Sequence, residues 1–353
     1  MNDCLNLTVH FGESDRVGER LLSDALMDAF ERHRLHAAVL LRAVEGFGAK
    51  QQLRTDRLLT LSEDLPLVAV ALDERPAVEA VLPDVTELLP GGLVTLERAR
   101  LVHDGGAARP PGGPTKLTVY LGRDERAGGR PAFASVVDLL HDHGLAGATA
   151  LLGVDGTAHG RRRRATFFSR NEEVPVMIVG VGDGHAVAQA LPELRAMLRD
   201  PIVAIERVQV CKRDGHPLAE PAHHPEQDDA GLGIWQKLTV HAGEQSRHAG
   251  HPLHIQLIRR LREAGAGGAT SLRGVWGFSG NHAPHGDRLF GLRRRVPVLT
   301  SIVDRPEAIR RWFEIVDECT DEAGLVTSEL VPAFHAVASD LRVGGLALAR
   351  IRS

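Results

Sequence analysis

Apolar and polar positions alternate over Leu5-Asn6-Leu7-Thr8-Val9-His10-Phe11, a period of two that predicts a strand ending at Gly12. Leu21, Leu22, Ala25, Leu26, Ala29 and Phe30 then recur at helical spacing, which gives one apolar face to a helix of about four turns. A second strand is predicted over residues 37–44, closed by Gly46-Phe47-Gly48, and a third over 65–72, ending at Asp73. A second helix follows over 76–89, where Pro76 suits a first helical turn and Pro83 predicts a kink. Gly91-Gly92 stops it, and residues 93–102 read as the last strand. The order is βαββαβ.

The chain writes this order twice more. Leu117-Thr118-Val119 and Leu238-Thr239-Val240 repeat Leu7-Thr8-Val9, Gly122 and Gly243 repeat Gly12, and Pro175 and Pro297 repeat Pro66. Gly156 and Gly277 take the place of Gly46, read as a strand end at positive φ. Leu93-Val94-Thr95-Leu96-Glu97-Arg98 returns as Ile202-Val203-Ala204-Ile205-Glu206-Arg207 and as Leu325-Val326-Thr327-Ser328-Glu329. Three matched copies set the domains: repeat one at 1–103, repeat two at 115–212 and repeat three at 235–334. Segments 104–114 and 213–234, rich in Gly, Pro, Ala and His, read as exposed linkers, and 335–353 as an extension outside the repeats.

A βαββαβ unit is the split-βαβ, ferredoxin-like arrangement, an α+β fold whose four-stranded antiparallel sheet carries both helices on one face. Val39, Leu41 and Ala43 alternate with Ala38, Leu40 and Arg42, so the face away from the helices is apolar too and needs another sheet to cover it. Three units covering one another about a pseudo-threefold axis satisfy all three sheets. The expectation is a monomer that acts as a covalent pseudo-trimer.

Composition narrows the function. At 353 residues the chain is too long for one ordinary core, and 43% hydrophobic with 25% charged residues is a globular balance. Aromatics at 4% and a net charge of −4 argue against a nucleic-acid surface, which needs a basic face and stacking rings. Cys4, Cys211 and Cys319 lie far apart and read as free thiols in a reducing compartment. With neither a signal-type start nor a run of about eighteen apolar residues, a cytoplasmic location is expected.

Gly46-Phe47-Gly48 after a strand, Leu65-Pro66 entering the third, Asp73 after it and Gly92-Leu93-Val94-Thr95 entering the fourth resemble the P-II-like family catalogued as domain of unknown function one-ninety. The likeness runs through all three repeats and is clearest in the first; repeat two has Thr157-Ala158 for Phe-Gly, and repeat three has Ser279. More distantly, the stretch through Ala49-Lys50-Gln51 resembles the start of the T-loop of P-II signal proteins. That resemblance implies a regulatory protein that binds a small molecule, with an adenine nucleotide suspected, in clefts between repeats. It also implies a regulated partner, a membrane transporter or another protein, reached through the long segment between Gly48 and Leu65. It assigns the ligand to Gly46, Phe47, Gly48, Lys50, Gln51, Gly277 and Phe278. The P-II phosphate loop, Gly-Asp-Gly-Lys, is replaced by Pro90-Gly91-Gly92 and its counterparts, so a bound nucleotide either carries fewer phosphates or is held by Arg98, Arg100 or Arg207 instead. The alternative implied by related folds is a divalent-metal-binding trimer of the copper-tolerance kind.

Other residues leave two readings each. Arg16, Arg126 and Arg247 recur just before a predicted helix start, where an anion or a solvated ion pair is equally well placed. Phe47 and Phe278 read as packing residues ahead of stacking platforms. The 18 histidines raise a metal reading, but the groups at 251–254 and 282–287 match no metal motif, so no metal ligand is assigned. The run at 161–164 reads as a solvated loop or as a contact for an acidic partner or phosphate. No GxSxG, HExxH or P-loop lysine occurs, so no catalytic residue is assigned and the chain reads as a non-enzyme.

Overall fold

The computed structural model describes residues 3–48, 51–55, 64–102, 112–158, 160–164, 174–280, 282–286, 296–320, 324–338 and 340–351. In repeat one, strands Asp3–Gly12, Ala37–Arg42, Pro66–Glu74 and Gly91–Leu101 enclose helices Leu22–Arg32 and Arg75–Leu88. Across the sheet, the second strand pairs with the third, the third with the first, and the first with the fourth, all antiparallel. Repeats two and three carry the same order. The chain is therefore three tandem ferredoxin-like units. The helix-side core of each is built from the predicted alternation: Leu5, Leu7 and Val9 in the first, Leu117 and Val119 in the second, Leu238 and Val240 in the third. Pro83 and Pro192 lie inside their helices, which continue through them.

The charged loop expected after Gly12 is a short hairpin, Arg16-Val17 against Arg20-Leu21, and it recurs in both other repeats. A larger difference concerns the second strand. It ends at Arg42, and the chain then crosses to another repeat. Glu45–Phe47 pairs with residues 269–271 of repeat three, Asp155–Ala158 with 37–40 of repeat one, and Trp276–Ser279 with 147–150 of repeat two. On the opposite sheet edge the handover runs the other way round the ring. Leu101 and Val102 bond to repeat two, Gln209–Arg213 to repeat three, and Ala333–Ala338 to repeat one. Both sheet edges of every repeat are thus covered by a neighbour, which removes the exposed edges that invite aggregation.

Two boundaries move as a result. Gln209–Arg213 is a strand that runs across the expected end of repeat two. The extension at 335–353 begins inside such a strand: Ala333–Ala338 closes the ring on repeat one, backed by Leu341–Gly345. The linker at 213–234 holds to the body, with Gln209 Nε2 donating to the Glu220 carbonyl and Gln209 Oε1 accepting from the Ala222 N–H, both at 2.8 Å. Most of the 104–114 linker lies outside the described residues. The three sheets turn their remaining faces toward one another over a shared core that includes Val39, Leu41, Val70, Leu151, Met177 and Leu299.

Candidate functional site at the pseudo-threefold axis

That shared core carries a layer of charged side chains. Cross-strand register places Asn6 opposite Glu97, Lys116 opposite Glu206 and Lys237 opposite Glu329, one pair per repeat. All six side chains point away from the helices, because residues one step along each strand fill the helix-side cores. Lys116 Nζ lies 2.9 Å from Glu206, 3.6 Å from Glu97 and in direct contact with Glu329. Lys237 Nζ reaches Glu97 at 2.5 Å and Glu329 at 3.5 Å. The three carboxylates come within 4.8 Å of one another, a spacing that a divalent cation could bridge. Lys116 touches all three, so its ammonium already occupies the space they share.

Charge balance in this layer is uneven. Burial alone would lower the Lys116 pKa, but Glu206, Glu329 and Glu97 raise it well above its ordinary value. Glu329 is likewise penalised by burial, yet Lys116 and Lys237 outweigh that and hold it well below the carboxylate range. Glu206 goes the other way: burial raises it, with Glu97 and Glu329 adding to the effect against Lys116. Its environment shows why. The Lys116 contact is off hydrogen-bond geometry, and neither Glu206 oxygen accepts a hydrogen bond, although the residue is only 5% exposed. His241, 3% exposed, is held neutral with a pKa of about 4, chiefly by burial and further by the two lysines.

A cavity of about 680 Å³ opens beside this layer, where all three repeats meet. Its lining includes Glu206, Glu329 and Gln236, all buried, and Arg98, Arg100 and Arg207, all exposed. Asp3 beside Arg98, Ala222 and His224 of the second linker, and Ile351 of the C-terminal tail also line it. Arg98 Nη2 donates to the Ala349 carbonyl at 2.7 Å, which ties the tail across the opening. Gln236 Nε2 donates to Ser328 Oγ at 2.7 Å, while Gln236 Oε1 accepts nothing. Arg98 and Arg207 are equivalent positions; the third equivalent is Leu330, so the arginine pair is two-sided rather than threefold.

Of the residues predicted from sequence, the structure brings only Arg98, Arg100 and Arg207 together. Gly46, Gly156 and Gly277 do not adopt positive φ. They are small because a strand of another repeat passes against them: a Cβ would stand 2.7, 2.5 and 2.3 Å from the carbonyl oxygens of Ala269, Ala38 and Ala148. The far side of each is closed by Pro66, Pro175 or Pro297, which explains why glycine and proline recur together. Phe47 is buried in the core of repeat three and Phe278 in that of repeat two, so both are packing residues. Gly48 faces open space, Gln51 Nε2 donates to the Ala266 carbonyl at 2.7 Å, and Lys50 lies outside the described residues. Arg16, Arg126 and Arg247 sit exposed on three separate hairpins, and Arg16 Nη1 donates to the Glu19 carbonyl at 2.9 Å. Within the 161–164 run, Arg162 is neither solvated nor reaching outward: it pairs with Asp155 and with Asp24 and Asp28 on the first helix of repeat one.

The glutamate layer was missed, although its signal was present. A glutamate recurs at one position of each last strand, inside an apolar run, and a lysine recurs opposite it in two repeats of three. A charge in the middle of a buried strand asks for a partner, and the aligned repeats set Glu97, Glu206 and Glu329 at one position without showing that the three sheets bring them together.

Comparisons with known proteins bear on the repeats more than on the site. The family model described as Uncharacterized ACR, COG1993 (DUF190) matches residues 4–101, 114–210 and 235–333. A UPF0166 protein of Aquifex aeolicus (strain VF5) is 31% identical over 98 residues, 28% of this chain and 91% of that protein. Among solved structures, an aspartate kinase from Synechocystis aligns with a TM-score of 0.25 and 11% identity, over 96% of this chain and 45% of the kinase. An unknown protein from Galdieria sulphuraria aligns with a TM-score of 0.19 and 14% identity, over 58% of this chain and 97% of that one. At these scores neither structure informs fold or function.

Proposed function

The chain belongs to the DUF190 family, three times over, and on that premise we propose that it is a non-enzymatic, P-II-like regulatory protein that binds one small anionic ligand in the axial cavity. The observation that carries this reading is the cavity itself. It lies where the three repeats meet, and three exposed guanidinium groups outnumber Asp3 in its lining. Guanidinium forks suit carboxylate and phosphate groups. A ligand held there touches the last strands of repeats one, two and three at once, so it can bias how the repeats sit against one another. The segments that follow the second strands begin at those inter-repeat pairings, which gives binding a route to a partner protein. The P-II likeness makes an adenine nucleotide the first ligand to try.

A second reading, a divalent-metal protein, is favoured by the spacing of Glu97, Glu206 and Glu329. A metal there would have to displace the Lys116 ammonium, which ranks this reading second. Calorimetry of the full chain against AMP, ADP and ATP tests the first. One site per chain is expected, weakened at least tenfold in R98A/R207A. Binding with unchanged affinity in that double variant overturns the axial assignment.

A further inference from the structure

Two segments outside the family-matched repeats meet beside the axial cavity. Ala349, fully buried, is fastened twice: its N–H donates to the Pro332 carbonyl at 2.9 Å, and its carbonyl accepts from Arg98 Nη2 at 2.7 Å. One residue on, the Arg350 N–H donates to Asp228 Oδ2 of the second linker at 2.7 Å. Ile351 then lines the cavity, as do Ala222 and His224 of the same linker. The carboxylate that meets the tail is itself fixed, because Asp228 Oδ1 accepts from the N–H groups of Ala230 and Leu232 at 2.9 and 2.8 Å. The Arg350 bond is the main reason that the Asp228 carboxyl sits below its usual range. Residues 349–351 thus form a strap, latched on one side to an arginine of the anion site and on the other to the linker.

The strap's hold on Arg98 is its weak point. Partial loss of water lowers the Arg98 pKa, with Asp3 opposing, and the Ala349 carbonyl offers the guanidinium a dipole rather than a charge. A carboxylate or phosphate brings an opposite charge and two acceptors, so it binds a guanidinium more strongly than one carbonyl does. Position matters as well. Nη2 belongs to both forks of the guanidinium, the Nε–Nη2 side and the Nη1–Nη2 end. A carbonyl seated on it therefore takes one fork and crowds the other. We propose that residues 349–351 are a built-in competitor for the anion site: strap and anionic ligand exclude one another at Arg98, and ligand binding releases the strap. The ligand has to displace a docked segment, so its apparent affinity is scaled down by the fraction of chains whose strap is undocked. Release also turns occupancy into a change at the surface, because the adjacent Arg350 then leaves Asp228 and the linker.

The inference rests on the axial cavity being the anion site, and its test separates the two claims. Ending the chain after Leu348 removes the strap but keeps Leu346 and Leu348, which pack on the core of repeat one. Asp228→Asn, for use where the shortened chain does not fold, keeps an acceptor for the linker turn and puts an amide nitrogen, which cannot accept, before the Arg350 N–H. AMP, ADP, ATP and pyrophosphate are titrated by calorimetry into the parent chain and the variant. Those that bind are expected to bind tenfold or more tighter without the strap, and several-fold tighter in Asp228→Asn. Hydrogen exchange of the parent gives the second readout. The Ala349 and Arg350 amides, both bonded in the docked strap, should lose protection when the binding compound is added. Affinity that is unchanged or weaker in the variant overturns the inference and leaves the anion site standing, as does a bound ligand that leaves both amides as protected as before. If none of the four compounds binds either form, both claims fall.

Discussion

Along the first strand of each repeat, one position holds Leu7, Leu117 and Leu238, all fully buried against the helices. The neighbouring position, turned to the axis, holds Asn6, Lys116 and Lys237. Along the last strands the buried Val94, Val203 and Val326 are alike, whereas Arg98, Arg207 and Leu330, farther along the same face and beside the cavity, are not. Three separate copies of one chain would place every axial residue at the axis three times over. A tandem chain is free of that restriction. It can keep three alike cores, which hold the shape, and vary the axis, where one altered residue changes the charge of the whole layer.

The sharpest way to break this comparison is to remove the axial cation. Lys116→Met leaves three buried carboxylates with one lysine between them, and it should cost about 3–5 kcal/mol in urea unfolding. Adding Glu206→Leu to Lys116→Met should recover part of that loss, because the least satisfied carboxylate goes too. A neutral Lys116→Met would mean that the layer contributes no more than an apolar one.

Acid offers the next largest effect. Burial holds His241 neutral with a pKa of about 4 against 6.5 for the free side chain, and Lys116 and Lys237 push the same way while Glu329 opposes. Below pH 6.5 the unfolded chain therefore takes up a proton that the folded chain refuses. The stability present above that pH is lost as pH falls toward 4, by on the order of 3 kcal/mol from this group. In H241N the pH dependence of unfolding between 6.5 and 4 should flatten by that amount. An unchanged slope would place the acid sensitivity elsewhere.

Between repeats, Gly277→Ala would set a Cβ 2.3 Å from the Ala148 carbonyl oxygen and should cost about 1–3 kcal/mol, whereas Gly48→Ala, facing open space, should cost a few tenths. Hydrogen exchange should show the first loss at residues 147–150 and 276–279. These glycines also show how far the sequence could be read. Period-two alternation and helical spacing are local signals, and they located the three units, their strand order and their helix-side cores. The recurrence of Gly46, Gly156 and Gly277 was equally visible, but its cause was not. The crowding comes from a strand more than a hundred residues away, so a local reading turned to backbone conformation instead. Phe47 and Phe278 were legible as packing residues, but not where they pack, since each fills the core of a repeat other than its own. The arginines at the axis were legible as phosphate candidates. The uneven charge of the glutamate layer was not, because what marks it is an absent lysine.

Restoring that lysine is the smallest and most specific test. Asn6→Lys puts an ammonium opposite Glu97, in the register that sets Lys116 opposite Glu206. Its burial is a cost, and charge-assisted hydrogen bonds to the carboxylates offset it, so the expected net gain is about 1 kcal/mol. The sign of its pH dependence is the stricter check. Glu206 is raised above its free value of 4.5, so the folded state binds a proton there more readily than the unfolded state, and its contribution to stability shrinks as pH rises past 4.5. A third lysine lowers Glu206 again and removes that loss. The advantage of Asn6→Lys over the parent should therefore grow from pH 5 to pH 8 in paired urea melts. An advantage that shrinks over this range would show that the axis is not short of a cation, and that Asn6 is in place for packing rather than charge.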